Sequence, residues 1–83
     1  MPFFSVIIPS YNRRDRLRAA VDSVLAQTFR DFELIVVDDG STDGTEKLLE
    51  GYGASLHAVR QVNRGVSAAR NAGISIANSP HIA

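Results

Sequence analysis

The stretch from Glu33 to Thr45, ELIVVDDGSTDGT, most constrains how this chain can fold. It contains an unbroken apolar run, Leu34 to Val37, with no polar residue alternating within it. Such a run, rich in β-branched residues, is typical of a strand buried on both faces, as in a parallel sheet. Asp38 and Asp39 follow at its C-terminal end, which is where open α/β sheets bind their ligands. The stretch therefore predicts a buried parallel strand that leads into a small-molecule site.

The rest of the chain alternates between strand and helix patterns. Strands are predicted over Phe3 to Pro9, Glu33 to Asp38 and Leu56 to Val62, with a fourth beginning at His81, and helices over Asp15 to Gln27, Thr45 to Tyr52 and Val66 to Asn78. This order predicts the α/β class, as a three-layer, Rossmann-like nucleotide-binding half with a parallel sheet and right-handed crossovers. A length of 83 residues suits one domain, so residues 1–83 are expected to form a single unit.

Each long helix carries one apolar stripe that should face the sheet, and the middle helix has a capping signal. The stripes are Leu17, Ala20, Val21, Val24 and Leu25 in the first helix, and Val66, Ala69, Ala72 or Gly73, and Ile76 in the third. The small residues of the third helix predict a close approach to the sheet. Thr42 or Asp43 is expected to cap the helix that begins at Thr45.

Composition excludes several classes of partner and site. Nine basic and nine acidic residues give a formal net charge of zero, which offers no argument for nucleic acid or an anionic membrane as partner. No cysteine is present, so disulfides and thiolate metal sites are excluded. The apolar run near the N-terminus is too short to span a bilayer and lacks the basic flank of a signal peptide. We therefore expect no membrane segment in this chain and a cytoplasmic location.

Three groups of polar residues are predicted to meet at one edge of the sheet. They are the loop from Pro9 to Asn12 after the first strand, the pair Asp38 and Asp39 after the second, and Arg70 in the third helix. The ring of Tyr11 can stack on a base. A carboxylate can accept a hydrogen bond from a pyrimidine ring N–H or a ribose hydroxyl, and arginine can bind phosphate oxygens. A base, a ribose and a diphosphate would each find a partner here.

Each candidate also has a purely structural interpretation. Asp38 and Asp39 are residue types that favour turns, and Arg70 could be a solvated helix residue. A cluster of arginines near the first helix, Arg13, Arg14, Arg16 and Arg18, is typical of a solvated face, with a phosphate contact by Arg13 as the alternative. His57 and His81 lack ligand-like spacing and are interpreted as structural.

Three segments carry a family resemblance: VIIPSYNR, SVLAQTFRDFELIVVDDGSTDGT and NRGVSAARNAG. In this order and spacing they resemble the N-terminal half of the inverting nucleotide-sugar glycosyltransferases of family two, which have the GT-A fold. The resemblance implies that Pro9, Tyr11 and Asp39 contact the base and ribose of a nucleotide donor, usually uridine, with Asp38 beside them. It also implies that Arg70 reaches the diphosphate or the base.

The resemblance further implies what these residues do not supply. The family's metal-binding D-x-D motif follows the fourth strand, so it and the catalytic base are expected beyond residue 83. No catalytic or metal-binding residue is therefore expected within this chain. The parent enzyme would move a hexosyl group from a nucleotide-diphosphate sugar to an acceptor hydroxyl by direct displacement, with Mg or Mn neutralising the departing diphosphate. This chain alone is expected to be inactive.

Other functions were weighed against this one. A phosphoacceptor receiver domain needs an Asp after the third strand, where this chain has Gln61 to Asn63. A dinucleotide-binding domain needs G-x-G-x-x-G after the first strand, where this chain has PSYNRRD. The third alternative is a self-associating module. In the family's sheet the first strand is central, so a missing fourth strand would expose Phe3 to Ile8 as an apolar edge, and we predict a homodimer or higher oligomer.

Overall fold

The computed structural model describes residues 4–27, 31–77 and 81–82. Its strands are β1 (Phe4–Ser10), β2 (Phe32–Asp38), β3 (His57–Arg60) and β4 (His81–Ile82), and its helices are α1 (Arg14–Leu25), α2 (Thr45–Glu50) and α3 (Val66–Ile76), with a 3-10 turn at Gly53–Ser55. The predicted alternation of strands and helices is confirmed. The predicted start of the first strand at Phe3 lies outside the described residues. The third helix was predicted to run to Asn78 but ends at Ile76, because the backbone of Ala77 is already extended.

The strands form one parallel sheet in the order β3-β2-β1-β4. Strands β1 and β2 pair along their whole length, from Phe4 opposite Phe32 to Ser10 opposite Asp38. Strand β3 pairs with the last part of β2, from Ile35 opposite His57 to Asp38 opposite Arg60. The carboxyl ends of β1, β2 and β3 therefore lie together at one edge, as the α/β interpretation requires.

Two apolar cores cover the two faces of the sheet. Leu34 and Val36 of β2 face α1 and α2, where they pack with Leu17, Val21, Leu49 and Leu56. Ile35 and Val37 face the other way and pack with Ala69 of α3. Successive strand residues point to opposite faces, so an unalternating run fills both cores. The prediction that this strand is buried on both sides, with the third helix opposite the other two, is confirmed.

Helix α3 lies against the sheet through its smallest residues. Ala69 is fully buried and Gly73 is buried, whereas Val66 and Ile76, predicted on the same stripe, are 68% and 36% exposed. The prediction was wrong for these two because the contact is limited to the small residues, and the larger ones lie beyond it. Ala20 of α1 is likewise exposed, since Leu17 and Val21 already fill that contact.

Three local predictions are corrected. Strand β3 ends at Arg60 rather than Val62, which is 80% exposed. The N-cap of α2 is Gly44, in a left-handed conformation with φ of +88°, although the side chain of Asp43 still accepts a hydrogen bond from the Thr45 N–H. The edge of β1 is not wholly exposed, because β4 pairs with Phe4 and Ser5.

Candidate functional site

A cleft of about 560 Å³ opens where β1 and β2 end, on the α3 side of the sheet. Its walls come from the end of β1, the loop that follows, the end of β2 and the first turn of α3. The lining residues are Pro9, Ser10, Tyr11, Arg13, Asp39, Val66 and Ala69. Because parallel strands bring different loops to the same edge, residues far apart in sequence meet here.

The carboxylate of Asp39 lies in the wall of this cleft and is only 3% exposed. Oδ1 accepts hydrogen bonds from Gln61 Nε2 and the Arg64 backbone N–H, each at 2.8 Å, and Oδ2 accepts one from the Gly65 N–H at 2.9 Å. The Gln61 amide, followed by the Arg64 N–H, lowers the pKa of Asp39 from its ordinary value of 3.8, against the opposing effect of burial. Asp39 is therefore an ionised, acceptor-only group at neutral pH.

Asp38 has a different environment, although it is the adjacent residue. It points to the other face of the sheet and does not line the cleft. Its Oδ1 accepts a hydrogen bond from the Ser41 N–H at 2.9 Å, and its Oδ2 lies 3.9 Å from the guanidinium of Arg60 without a hydrogen bond among the described residues. Arg60 also donates to the Ser41 carbonyl and to Glu46. These contacts hold the turn between β2 and α2.

The loops after β1 and β2 are joined by hydrogen bonds. Asn12, with a positive φ of +49°, donates its backbone N–H to Ser41 Oγ at 2.9 Å. Its Oδ1 accepts the Thr42 N–H at 2.8 Å, and Asp43 accepts the backbone N–H of Arg14 at 3.0 Å. These bonds fix the segment that carries Tyr11 and Arg13.

The structure brings together four of the six predicted site residues. Pro9, Tyr11, Arg13 and Asp39 all line the cleft, and Tyr11 is 46% exposed, so much of this residue is accessible to solvent. Asp38 and Arg70 do not line it. Arg70 is exposed on α3, and among residues 4–27 and 31–77 it makes no ion pair.

Gln61, Val66 and Ala69 were not predicted as site residues from the sequence, and Ser10 was included only as part of the loop after the first strand. Gln61 contacts Asp39 directly, and Ser10 lines the cleft with a buried hydroxyl that has no hydrogen-bond partner in the described part of the chain. The available signal was position, since each lies at the end of, or just after, a strand whose carboxyl end meets the others. From the sequence, Gln61 was notable only because it stands where a receiver domain would need an Asp.

Within the described ranges, no group of three or more His, Cys, Asp or Glu side chains is placed to hold a metal ion. The same residues include no helix with the length and apolar character needed to cross a bilayer.

A parallel sheet covered by helices on both faces, with a cleft at its carboxyl edge that contains a buried carboxylate, defines a Rossmann-like α/β protein. The chain belongs to glycosyltransferase family 2: the sequence profile described as "Glycosyl transferase family 2" matches residues 5–83. The resemblance seen in the sequence is thus confirmed.

Curated relatives are named as glycosyltransferases. An uncharacterised glycosyltransferase of Rickettsia prowazekii (strain Madrid E) is 45% identical over 73 residues, which are 88% of this chain and 23% of that protein. The uncharacterised glycosyltransferase EpsJ of Bacillus subtilis (strain 168) is 38% identical, over 99% of this chain and 25% of EpsJ. The putative teichuronic acid biosynthesis glycosyltransferase TuaG of the same strain is 42% identical, over 99% of this chain and 34% of TuaG.

Solved structures share the fold. S. aureus TarS 1-349 superposes with a TM-score of 0.87 at 32% identity, over 96% of this chain and 26% of that one. A structure of TarS 1-349 in complex with UDP-GlcNAc superposes with a TM-score of 0.81 at 32% identity, over 96% of this chain and 25% of that one. The mannosyltransferase PcManGT from Pyrobaculum calidifontis, in complex with GDP-Man and Mn²⁺, superposes with a TM-score of 0.84 at 28% identity, over 93% of this chain and 25% of that one. This chain therefore spans about a quarter to a third of the length of the relatives and structures named here.

Proposed function

We propose that residues 1–83 are the donor-binding part of a glycosyltransferase catalytic domain, and that the donor is a nucleotide-diphosphate sugar, in particular a UDP-sugar. The observation that carries the proposal is the buried, ionised carboxylate of Asp39 in the wall of a cleft that also contains the accessible ring of Tyr11. The UDP-GlcNAc complex of TarS, a structural neighbour of this chain, supports the same donor class.

Each residue of the cleft has a chemical role in this proposal. The ring of Tyr11 stacks on the base, and Asp39 accepts a hydrogen bond from the base or from the ribose. Pro9 closes the cleft beside them, and Arg13 meets phosphate oxygens. Arg70 lies on the exposed side of α3, one residue after Ala69 of the cleft wall, and its contact with the diphosphate stays a prediction. So does a contact by Asp38, which we assign to holding the turn before α2.

Calorimetry with UDP and AMP tests this proposal. The chain should bind UDP more tightly than AMP, and Asp39→Ala should remove most of that binding. Asp31→Ala is the matched control, because Asp31 is an exposed carboxylate at the opposite edge of the sheet, just before β2. Equal heats for UDP and AMP, or UDP binding that survives Asp39→Ala, would contradict the assignment.

We propose that a divalent metal, Mg or Mn, serves the whole protein, a view supported by Mn²⁺ in the related mannosyltransferase structure. The carboxylates described in this chain do not fit a metal site. Asp39 already accepts three hydrogen bonds, and Asp38 lies beside the guanidinium of Arg60. Transfer of a sugar by this chain alone is not expected, and measurable transfer from a UDP-sugar would contradict that.

We also propose self-association through β1. Strand β4 pairs only with Phe4 and Ser5, so within the described residues the part of β1 from Val6 onward has no strand partner on that side. Unpaired strand edges favour pairing with another chain. Light scattering should give the mass of a dimer or larger at working concentration, and a monomeric mass would refute this proposal. A cytoplasmic location also remains a proposal.

A further inference from the structure

The hydrogen bonds of Asp39 leave it one specific oxygen for a ligand. A carboxylate offers about four acceptor sites, two on each oxygen. Oδ1 uses both of its sites, for Gln61 Nε2 and for the Arg64 N–H. Oδ2 uses one, for the Gly65 N–H. Oδ2 therefore keeps the remaining acceptor site.

Gln61 is fixed in the place from which it can hold this carboxylate. Its backbone N–H donates to the Asp38 carbonyl at 2.9 Å, which continues the β2–β3 pairing one residue past Arg60. Gln61 thus lies beside Asp39, one residue past the end of β3, and residues in register on adjacent extended segments point to the same face. An ionised carboxylate only accepts hydrogen bonds, so the amide must present its NH₂ group to it. The side chain is half-buried, which limits alternative orientations.

We infer that Gln61 is a positioning residue for nucleobase selection: it saturates Oδ1 of Asp39 and turns the free site of Oδ2 toward the base. This inference rests on the proposed function of Asp39. An acceptor-only group held in one orientation favours a base with a ring N–H, such as uracil. Cytosine presents a ring nitrogen acceptor at the equivalent position, which would face the carboxylate unfavourably.

Gln61 is also the one member of the group that substitution can probe cleanly. The other two donors are backbone N–H groups of Arg64 and Gly65, which no side-chain change removes. Gly65 has a φ of +95°, so replacing it would strain the loop as well. Gln61→Met adds no charge, so the charged residues near Asp39 remain the same in that variant: Arg13 in the cleft wall, Arg64 in the following loop and Asp38 on the opposite face.

Calorimetry with UDP and CDP on single variants of this chain tests the inference. Gln61→Met keeps the side-chain length but removes the donor, and should weaken UDP binding about tenfold, the typical effect of losing a hydrogen bond to a charged group. CDP binding should change less, so the preference for UDP over CDP should narrow. Gln61→Lys restores an N–H donor and should recover most of the UDP affinity. Val62→Met is the control, because Val62 is 80% exposed and next in sequence.

The outcomes separate this inference from the proposed function. If Gln61→Met binds UDP like the unsubstituted chain, or loses UDP and CDP affinity equally, the positioning role is refuted, while loss of binding in Asp39→Ala would leave the proposed function standing. If the unsubstituted chain binds no UDP, both are refuted. Should Gln61→Met fail to fold, Gln61→Leu, which removes the donor without adding a charge, takes its place, and wild-type UDP affinity in that variant refutes the inference.

Discussion

Gly73 of α3 lies directly against Ile7 of β1: a Cβ atom built on Gly73 would come within 2.5 Å of Ile7 Cγ2 and 3.3 Å of Val37 Cγ2. The glycine thus sets how closely α3 approaches the sheet. The first turn of the same helix bounds the cleft at the ends of β1 and β2, so this close approach also contributes to the width of the cleft.

Gly73→Ala should destabilise the chain for this reason. Overpacking costs about 1–3 kcal/mol, which should exceed the roughly 1 kcal/mol that alanine gains over glycine in a helix. Urea unfolding measures the difference. Asn71→Ala on the exposed side of the same helix is the control and should change stability by no more than about 0.5 kcal/mol. A Gly73→Ala variant as stable as the parent would show that α3 can move away from the sheet at little cost.

Gly40→Ala should lower the free energy of unfolding more than Gly53→Ala, although both glycines have a positive φ. Gly40 has a φ of +78°, and a Cβ atom there would lie 3.0 Å from the Asn63 backbone nitrogen. Gly53 has a φ of +57° with nothing within 4 Å of its Cβ position, so Gly53→Ala measures the conformational cost alone, about 1–2 kcal/mol. Gly40→Ala should exceed that value in urea unfolding. It should also speed hydrogen exchange at Arg64 and Gly65, whose amides bond to Asp39. Equal effects of the two substitutions would contradict the close approach of the loops.

Asn12 should contribute to the stability of the fold through both its side chain and its backbone conformation. Its Oδ1 accepts the Thr42 N–H, and its φ of +49° disfavours most residues. Asn12→Gly removes only the hydrogen bond and should cost about 1 kcal/mol. Asn12→Ala removes the bond and adds left-handed strain, so it should cost roughly 1–2 kcal/mol more. Thermal or urea unfolding of the two variants gives the difference, and the reverse order of stability would contradict the observed geometry.

Acid should destabilise the fold through Asp39 and Asp43. The pKa of each is lowered from 3.8, mainly by the Gln61 amide for Asp39 and by the Thr45 hydroxyl for Asp43. Around and below pH 3.8 these carboxylates are protonated in the unfolded chain but still ionised in the folded one, so the unfolded chain binds more protons. The stabilisation is therefore complete above about pH 4 and is lost as pH falls through the folded pKa values. Urea unfolding at several pH values should show this decline, and Asp39→Asn should make it shallower. An unchanged acid dependence in that variant would refute the role of Asp39.

The secondary structure was largely predictable because it depends on local patterns. The unalternating run from Leu34 to Val37 indicated a strand buried on both faces, and all four residues are at most 3% exposed. The small residues of α3 indicated a close approach, and Gly73 makes one. The errors fell on Val66, Ile76 and the end of β3, because helix stripes and strand ends depend on how far the packed contact extends, which periodicity does not specify.

The sequence by itself determined that two adjacent carboxylates follow a buried parallel strand, and that a tyrosine loop and an arginine-bearing helix accompany them. Only the tertiary structure decided which carboxylate belongs to the cleft. Successive strand residues point to opposite faces. Helix α3 packs on one face of the sheet, and α1 and α2 pack on the other. Asp39 therefore faces the cleft and contacts Gln61, whereas Asp38 faces the opposite side and contacts Ser41 and Arg60. The different environments of the two carboxylates come from long-range packing, which the local pattern DDGS does not specify.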